Sequence, residues 1–291
     1  MDILIRIKRV LEAALSRSDQ PDGPPLLAEA VRHAVFPGGA RVRPRLCLSV
    51  ALACGADARA AAIAEVAGAA IELLHCASLV HDDLPCFDNA PTRRGLPSVH
   101  RAFGEPLAVL AGDALIVLAF ETLALGIKRP ALLAPLTALV ARAAGSPHGL
   151  VAGQAWECES QVVLETYQRA KTASLFACAT QAGAIAAGAD PAQWRALGDC
   201  LGEAYQVADD INDSVGDAAM LGKPCGQDLA LGRPSAVLRH GLDGAHDHLD
   251  RLVAASVASI PDCPGASLLT ALIRRELRRL LLPAVAASQA A

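Results

Sequence analysis

Apolar residues recur along this chain at three- and four-residue steps, the spacing that gathers them on one face of a helix. The pattern runs through 3–17, 25–35, 41–54, 57–84, 105–127, 130–145, 164–187, 191–217, 234–259 and 266–285. Runs of β-branched residues are short, so extended strands have little to build from. The helical stretches are separated where glycine and proline cluster, at Asp22-Gly23-Pro24-Pro25, Pro37-Gly38-Gly39, Gly95 to Pro97, Gly222 to Gly226 and Pro261 to Gly265. None of these breaks is long enough to link two domains, and no segment repeats at a fixed period. The prediction is one all-α domain over 1–291, a helical bundle.

Composition narrows the function. The 291 residues are 53% hydrophobic and 19% charged, enough apolar mass for a large core. A net charge of −4 with a pI near 6.1 gives no electrostatic attraction for nucleic acid, and that class is set aside. The nine cysteines are odd in number, spread out and free of CxxC pairs, and they read as reduced, buried small hydrophobes. Met1 to Arg17 alternates charged and apolar residues and lacks a signal core, so the expected location is the cytoplasm. The most apolar windows, near Ala114 to Ile127 and Ala131 to Ala144, are interrupted by Glu121, Lys128, Arg129 and Arg142. They are expected as core helices with no membrane span.

Two acidic clusters stand against this apolar background. The first, Asp82, Asp83 and Asp88, closes the long stretch that begins near Asp57. Acids at a helix carboxyl end cost roughly 0.3–1 kcal/mol each, so local stability argues against the placement. Six residues of regular helix would turn Asp88 to a different face from Asp82. Pro85 prevents a regular helix there, and the chain is expected to kink or leave it and swing Asp88 back. In the second cluster, Gln206, Asp209, Asp210, Asp213 and Asp217 fall on one helical stripe, with Val207, Ile211 and Val215 opposite. Like charges so spaced repel by about 0.2–0.5 kcal/mol per pair, and something positive should face them.

Each cluster alone reads as a solvated acidic turn. Together they suit Mg²⁺, which takes one or two carboxylates and fills its other positions with water and phosphate oxygens. The expected ligand is therefore a metal-clamped diphosphate. Cations are at hand: Arg41 and Arg43, Arg93 and Arg94, Lys171, and the pair Lys223 and Arg233 around a Gly-Pro loop. Arginine's planar fork matches phosphate, although any one of these residues alone reads as a surface charge.

With these residues in view, the chain resembles a trans-isoprenyl diphosphate synthase, a member of the polyprenyl synthetase family. The first aspartate-rich motif appears as Asp82-Asp83-Leu84-Pro85-Cys86-Phe87-Asp88 followed by Arg93-Arg94-Gly95, and the second as Asp209-Asp210-Ile211-Asn212-Asp213. Around them, in order, lie Gly38-Gly39-Ala40-Arg41-Val42-Arg43-Pro44, Glu72-Leu73-Leu74-His75, Ala111-Gly112-Asp113, Gly153-Gln154, Tyr167 to Thr172, Tyr205-Gln206 and Gly222-Lys223. The wording is most similar to bacterial geranylgeranyl diphosphate synthases of carotenoid and bacteriochlorophyll pathways.

The resemblance implies a bundle around a deep central cavity, paired as a homodimer, that condenses isopentenyl diphosphate with an allylic diphosphate. It implies three Mg²⁺ ions on Asp82, Asp88 and Asp209, supported by Asp83, Asp210 and Asp213. Arg93, Lys171 and Lys223 would hold the allylic diphosphate, and Arg43, His75, Arg94 and Arg233 the isopentenyl diphosphate. Thr172 and Gln206 would stabilise developing positive charge. Family members that stop at fifteen carbons often carry an aromatic residue five positions before the first aspartate. Here Ala77 and then Ser78 stand there, which implies a twenty-carbon product.

The chain also departs from the family pattern. Ala40 replaces the usual lysine, Asn89 a frequent acid, Pro224 a common threonine and Gln227 a common lysine. Four readings remain open from sequence: the twenty-carbon synthase, a farnesyl diphosphate synthase, a non-catalytic subunit of a heteromeric synthase, and a class I terpene cyclase.

Overall fold

A computed structural model describes residues 2–36, 39–215 and 235–288, with side chains described as far as residue 277. The described elements are α1 (Ile3–Ser18), α2 (Pro25–Val35), α3 (Val42–Ala53), α4 (Ala58–Asp82), α5 (Val99–Phe103), α6 (Glu105–Gly126), α7 (Pro130–Ala144), α8 (Leu150–Ala155), α9 (Leu164–Gln168), α10 (Ser174–Ala187), α11 (Arg195–Val215), α12 (Ala236–Ala258) and α13 (Ala266–Ser288). A short antiparallel hairpin, β1 (Thr92–Arg93) with β2 (Leu96–Pro97), pairs Arg93 with Leu96. Short turns at Trp156–Cys158, Arg169–Ala173 and Pro191–Trp194 join helices. Gly222, Lys223, Pro224, Gln227, Arg233, Asp217 and Cys225 lie outside the described residues.

Local chemistry sets the helix starts. Asp57 accepts from the Ala60 amide at 2.8 Å and opens α4, while Ser235 accepts from the Leu238 amide at 3.2 Å and opens α12. Pro106 and Pro130 occupy first-turn positions of α6 and α7, where a missing amide hydrogen costs nothing. The amphipathic α1 buries Ile7, Leu11, Ala14 and Leu15 along one stripe. In contrast, α4 is apolar on every side and runs through the centre, packed by α1, α2, α3, α6, α7 and α10. Its Glu65 is paired with Arg6 of α1, and Glu72 with Arg41 at 2.7 Å. The carboxyl-terminal helix α13 is tied to α3 by Arg45 and Glu276, whose two hydrogen bonds measure 3.0 and 2.6 Å.

Several expectations change. The stretch 164–187 is interrupted by a π-helical turn at Arg169–Ala173, and α5, α8 and the hairpin lie in segments with no helical or strand pattern of their own. Cys47, Cys76 and Cys178 are buried as expected, but Cys86 and Cys158 are exposed. Both α4 and α6 are long and apolar enough to cross a membrane by length and composition, because each has a window with few charges. Packing separates them: 83% of that window is inside the protein in α4 and 44% in α6. The difference is an exposed apolar face on α6, carrying Val109, Leu110, Val117 and Leu125.

Candidate active site

Asp82 is the last residue of α4, and the chain leaves the helix there as Pro85 requires. The Phe87 amide donates to the Leu84 carbonyl at 2.9 Å, and the Asp88 amide donates to the Asp82 carbonyl at 2.9 Å. That last bond returns Asp88 to the side of Asp82. Burial pushes the Asp82 carboxyl above the usual carboxylate range, against the pull of Lys171 and of a 2.8 Å hydrogen bond from Gln154 Nε2. The same Gln154 nitrogen donates to the Ser78 carbonyl at 3.1 Å, fixing the last turns of α4. Asp83 is buried and also raised by burial, with Arg93 opposing the shift. Arg93 Nε lies 3.0 and 3.3 Å from the two Asp83 oxygens. Thus Asp83 and Arg93, expected at metal and diphosphate respectively, are here each other's partners.

The second cluster sits on the last turns of α11. Asp209 is exposed, whereas Asp210 and Asp213 are buried. Asp210 Oδ1 accepts from Gln206 Nε2 at 2.8 Å, and its Oδ2 accepts from Gln168 Nε2 at 3.1 Å and the Ala236 amide at 2.7 Å. Among the described residues, these donors to Asp210 are neutral and join α9, α11 and the start of α12. Thr172 Oγ1 donates to Gln206 Oε1 at 2.6 Å, so Thr172, Gln206 and Asp210 form one chain of hydrogen bonds.

The π-helical turn carries both Lys171 and Thr172, and it bridges the clusters. Lys171 Nζ lies 4.0 Å from Asp82 Oδ2, while the next residue reaches Gln206 on α11. π turns insert one extra residue into a helix and are frequent at functional sites. Two glycines allow other backbones to approach this one. A Cβ at Gly153 would fall 2.3 Å from Lys171 Cα, and one at Gly202 2.3 Å from Ala173 Cα. Without side chains there, α8 and α11 close on the turn from two sides.

Beside the first cluster lies a concentration of positive charge. Burial and the nearby Arg43, Arg94, Arg93 and Arg41 hold the His75 imidazole well below its ordinary range. Arg43 stacks over the Phe176 ring at 4.6 Å, burial lowers its guanidinium, and its Nε has no hydrogen-bond partner among the described residues. Arg94 heads the hairpin turn with φ 55°, followed by Gly95 at 77°, the φ signs of a tight type I′ turn. Its Nε is 3.0 Å from where a Cβ at Gly39 would lie. Arg41 is committed to Glu72 and the Val35 carbonyl. Arg43, His75 and Arg94 therefore lie near one another beside the first cluster, without a carboxylate bound to Arg43 or Arg94 among the interactions described.

Ala77 and Ser78 are buried in α4 one to two turns before Asp82. Two small clefts are described, one between α3, α11 and α13, the other between α2, α4 and the hairpin. Neither is lined by Ala77 or Ser78. Sequence reasoning passed over Glu157 and gave Gln154 no role; the available signal was two polar residues three apart after Gly153 in an apolar stretch.

Among the described residues no three histidine, cysteine, aspartate or glutamate side chains converge on one point. The candidate donors are Asp82 and Asp88, which the Asp88 amide bond to the Asp82 carbonyl brings to one side, and Asp209 and Asp213, one turn apart on α11. Such pairs fit Mg²⁺ completed by water and phosphate oxygens better than they fit a metal held by protein alone.

A family model described as polyprenyl synthetase matches residues 24–262. The chain is 50% identical over 283 residues to a geranylgeranyl diphosphate synthase of Cereibacter sphaeroides, covering 97% of this chain and 98% of the relative. It is also 50% identical over 270 residues to the enzyme of that name from Rhodobacter capsulatus, covering 92% and 93%. A geranyltransferase of Helicobacter pylori, solved with magnesium and isoprenyl diphosphate, superposes with a TM-score of 0.80 at 28% identity over 96% of this chain and 98% of its own. The chain belongs to the polyprenyl synthetase family.

Proposed function

We propose that this protein is a geranylgeranyl diphosphate synthase, joining isopentenyl diphosphate to an allylic diphosphate and releasing diphosphate. The observation that carries the reading is the bridge of Lys171 and Thr172 between two carboxylate clusters, beside the group of Arg43, His75 and Arg94. That arrangement offers places for two diphosphates. The two relatives at 50% identity, which bear the same enzyme name, support it.

Asp82, Asp88, Asp209 and Asp213 would hold Mg²⁺. The metal, when bound, would neutralise the allylic diphosphate and help it leave. Lys171 would donate to the departing diphosphate oxygens from the π turn, joined by Lys223, and by Arg93 in exchange for its pairing with Asp83. Arg43, His75, Arg94 and Arg233 would hold isopentenyl diphosphate, with the Arg43 guanidinium fixed in place by Phe176. As the allylic C–O bond breaks, positive charge develops on the allyl carbons. Gln206 is suited to meet it, because Asp210 fixes its amide nitrogen and turns its oxygen toward Thr172. Buried Phe176, Leu175 and neighbouring alanines exclude water from that charge. The isopentenyl double bond then attacks the allyl carbon, and loss of a proton to the released diphosphate restores neutrality. Ala77 places no bulk below the first cluster, consistent with twenty carbons. The exposed apolar face of α6 supports pairing of two copies, since Val117 at 69% exposure gains by leaving water.

The test is purified protein with Mg²⁺, isopentenyl diphosphate and each allylic primer in turn, with products resolved by chain length. The expected product is geranylgeranyl diphosphate, and Ala77→Tyr is expected to shift it toward farnesyl diphosphate. Release of hydrocarbon, or no product, would overturn the proposal; unchanged length in the tyrosine variant would remove the role given to Ala77.

A further inference from the structure

We infer that Glu157 is a positioning residue that keeps Lys171 off Asp82, leaving that carboxylate to the metal. The inference rests on the proposed reading of the site and deepens it.

Glu157 lies in the short turn that follows α8, with its side chain only 6% exposed. Its Oε1 accepts both the Tyr167 hydroxyl at 2.6 Å and the Lys171 ammonium. Lys171 is thus held between two carboxylates, hydrogen-bonded to Glu157 and 4.0 Å from Asp82 Oδ2. Asp82 Oδ1 already accepts from Gln154. Oδ2 is consequently the Asp82 oxygen through which a cation would bind most readily, and Lys171 is close enough to take it with a small movement. In a buried setting a lysine–carboxylate contact is strong enough to compete with a hydrated Mg²⁺, which gives up its waters reluctantly. Glu157 supplies the competing negative charge. Tyr167 fixes the acceptor, and the missing side chain at Gly153 lets α8 and its following turn lie against the Lys171 backbone. One short segment, Gly153 to Glu157, therefore steadies Asp82 through Gln154 and restrains Lys171 through Glu157.

Calorimetric titration with inorganic pyrophosphate at a series of Mg²⁺ concentrations tests this without turnover. In Glu157→Gln, Lys171 is expected to pair with Asp82, and the half-saturating Mg²⁺ for pyrophosphate binding should rise about tenfold, equivalent to about 1.4 kcal/mol. Glu157→Asp keeps the charge but withdraws it by one methylene, so a smaller rise, roughly threefold, is expected. In a Lys171→Met background, Glu157→Gln should produce no further rise, because no ammonium remains to move. A purely structural Glu157 would lower the melting temperature without moving the Mg²⁺ dependence, and that result would overturn the inference. So would a rise that persists in the Lys171→Met background. If Glu157→Gln does not fold, an unchanged Mg²⁺ dependence in folded Glu157→Asp has the same force. Failure of the wild-type protein to bind pyrophosphate with Mg²⁺ would instead sink the reading of the site itself, so the two failures are told apart.

Discussion

Adjacent aspartates of the second cluster are expected to differ on mutation: Asp210→Ala loses stability together with the placement of Gln206, whereas Asp209→Ala loses activity alone. Asp210 is 3% exposed and, among the described residues, accepts three hydrogen bonds, from α9, α11 and the first residue of α12. Replacing it with alanine leaves the Ala236 amide without its acceptor, and a backbone donor cannot turn away; that costs ~1–3 kcal/mol. The Gln168 and Gln206 amides can rotate toward other acceptors, so each adds about 0.5–1.5 kcal/mol. Relief from burying a carboxylate offsets part of this sum. A net loss of about 2–4 kcal/mol follows, which for a chain of this size lowers the melting temperature by roughly 3–7 °C. Asp209→Ala, on an exposed position, should change stability by no more than about 0.5 kcal/mol. Its loss should appear instead as roughly a hundredfold fall in kcat, the scale set by removing one charge-stabilising group at a reacting centre. Scanning calorimetry without Mg²⁺ or diphosphate, beside steady-state kinetics, measures both. The reasoning is refuted if Asp210→Ala melts with the wild type, or if Asp209→Ala loses as much stability as Asp210→Ala.

Gly153→Ala would drive a methyl to 2.3 Å from the Lys171 backbone, so a loss of about 1–3 kcal/mol by thermal melting and a lower kcat through a displaced Lys171 are expected. His75 stays neutral in the folded chain but takes up a proton near pH 6.5 when unfolded, so its contribution is complete above that pH and is lost as pH falls below it. The slope is up to about 1.4 kcal/mol per pH unit, and His75→Gln should remove it in denaturant melts across that range. Asp82 and Asp83, raised by burial, act in the opposite sense at lower pH, just above their ordinary values, and remain in both proteins under comparison. Val117→Glu, at the most exposed apolar position of α6, should dissociate a dimer to monomer in sedimentation while leaving the monomer's helical signal intact.

Much of the fold was legible because helix periodicity is a local signal. The stretches 25–35, 105–127 and 130–145 match α2, α6 and α7 to within a residue, with glycine and proline marking their ends. The return of Asp88 to Asp82 was legible too, since Pro85 leaves the chain no helical continuation. What sequence could not decide was how each charge is used. Asp209 and Asp210 look alike in a motif, yet one is exposed and the other is buried against residues 168 and 236. Asp83 and Arg93 read as metal and phosphate ligands and fold into a pair. Glu157 stands out in the sequence only as a polar residue three beyond Gln154, and its pairing with Lys171 is set where the turn after α8 meets the π turn. Periodicity reports which face of a helix turns inward. The partner a buried charge finds there depends on distances of a few ångströms between segments tens of residues apart, and only the packed tertiary structure fixes those.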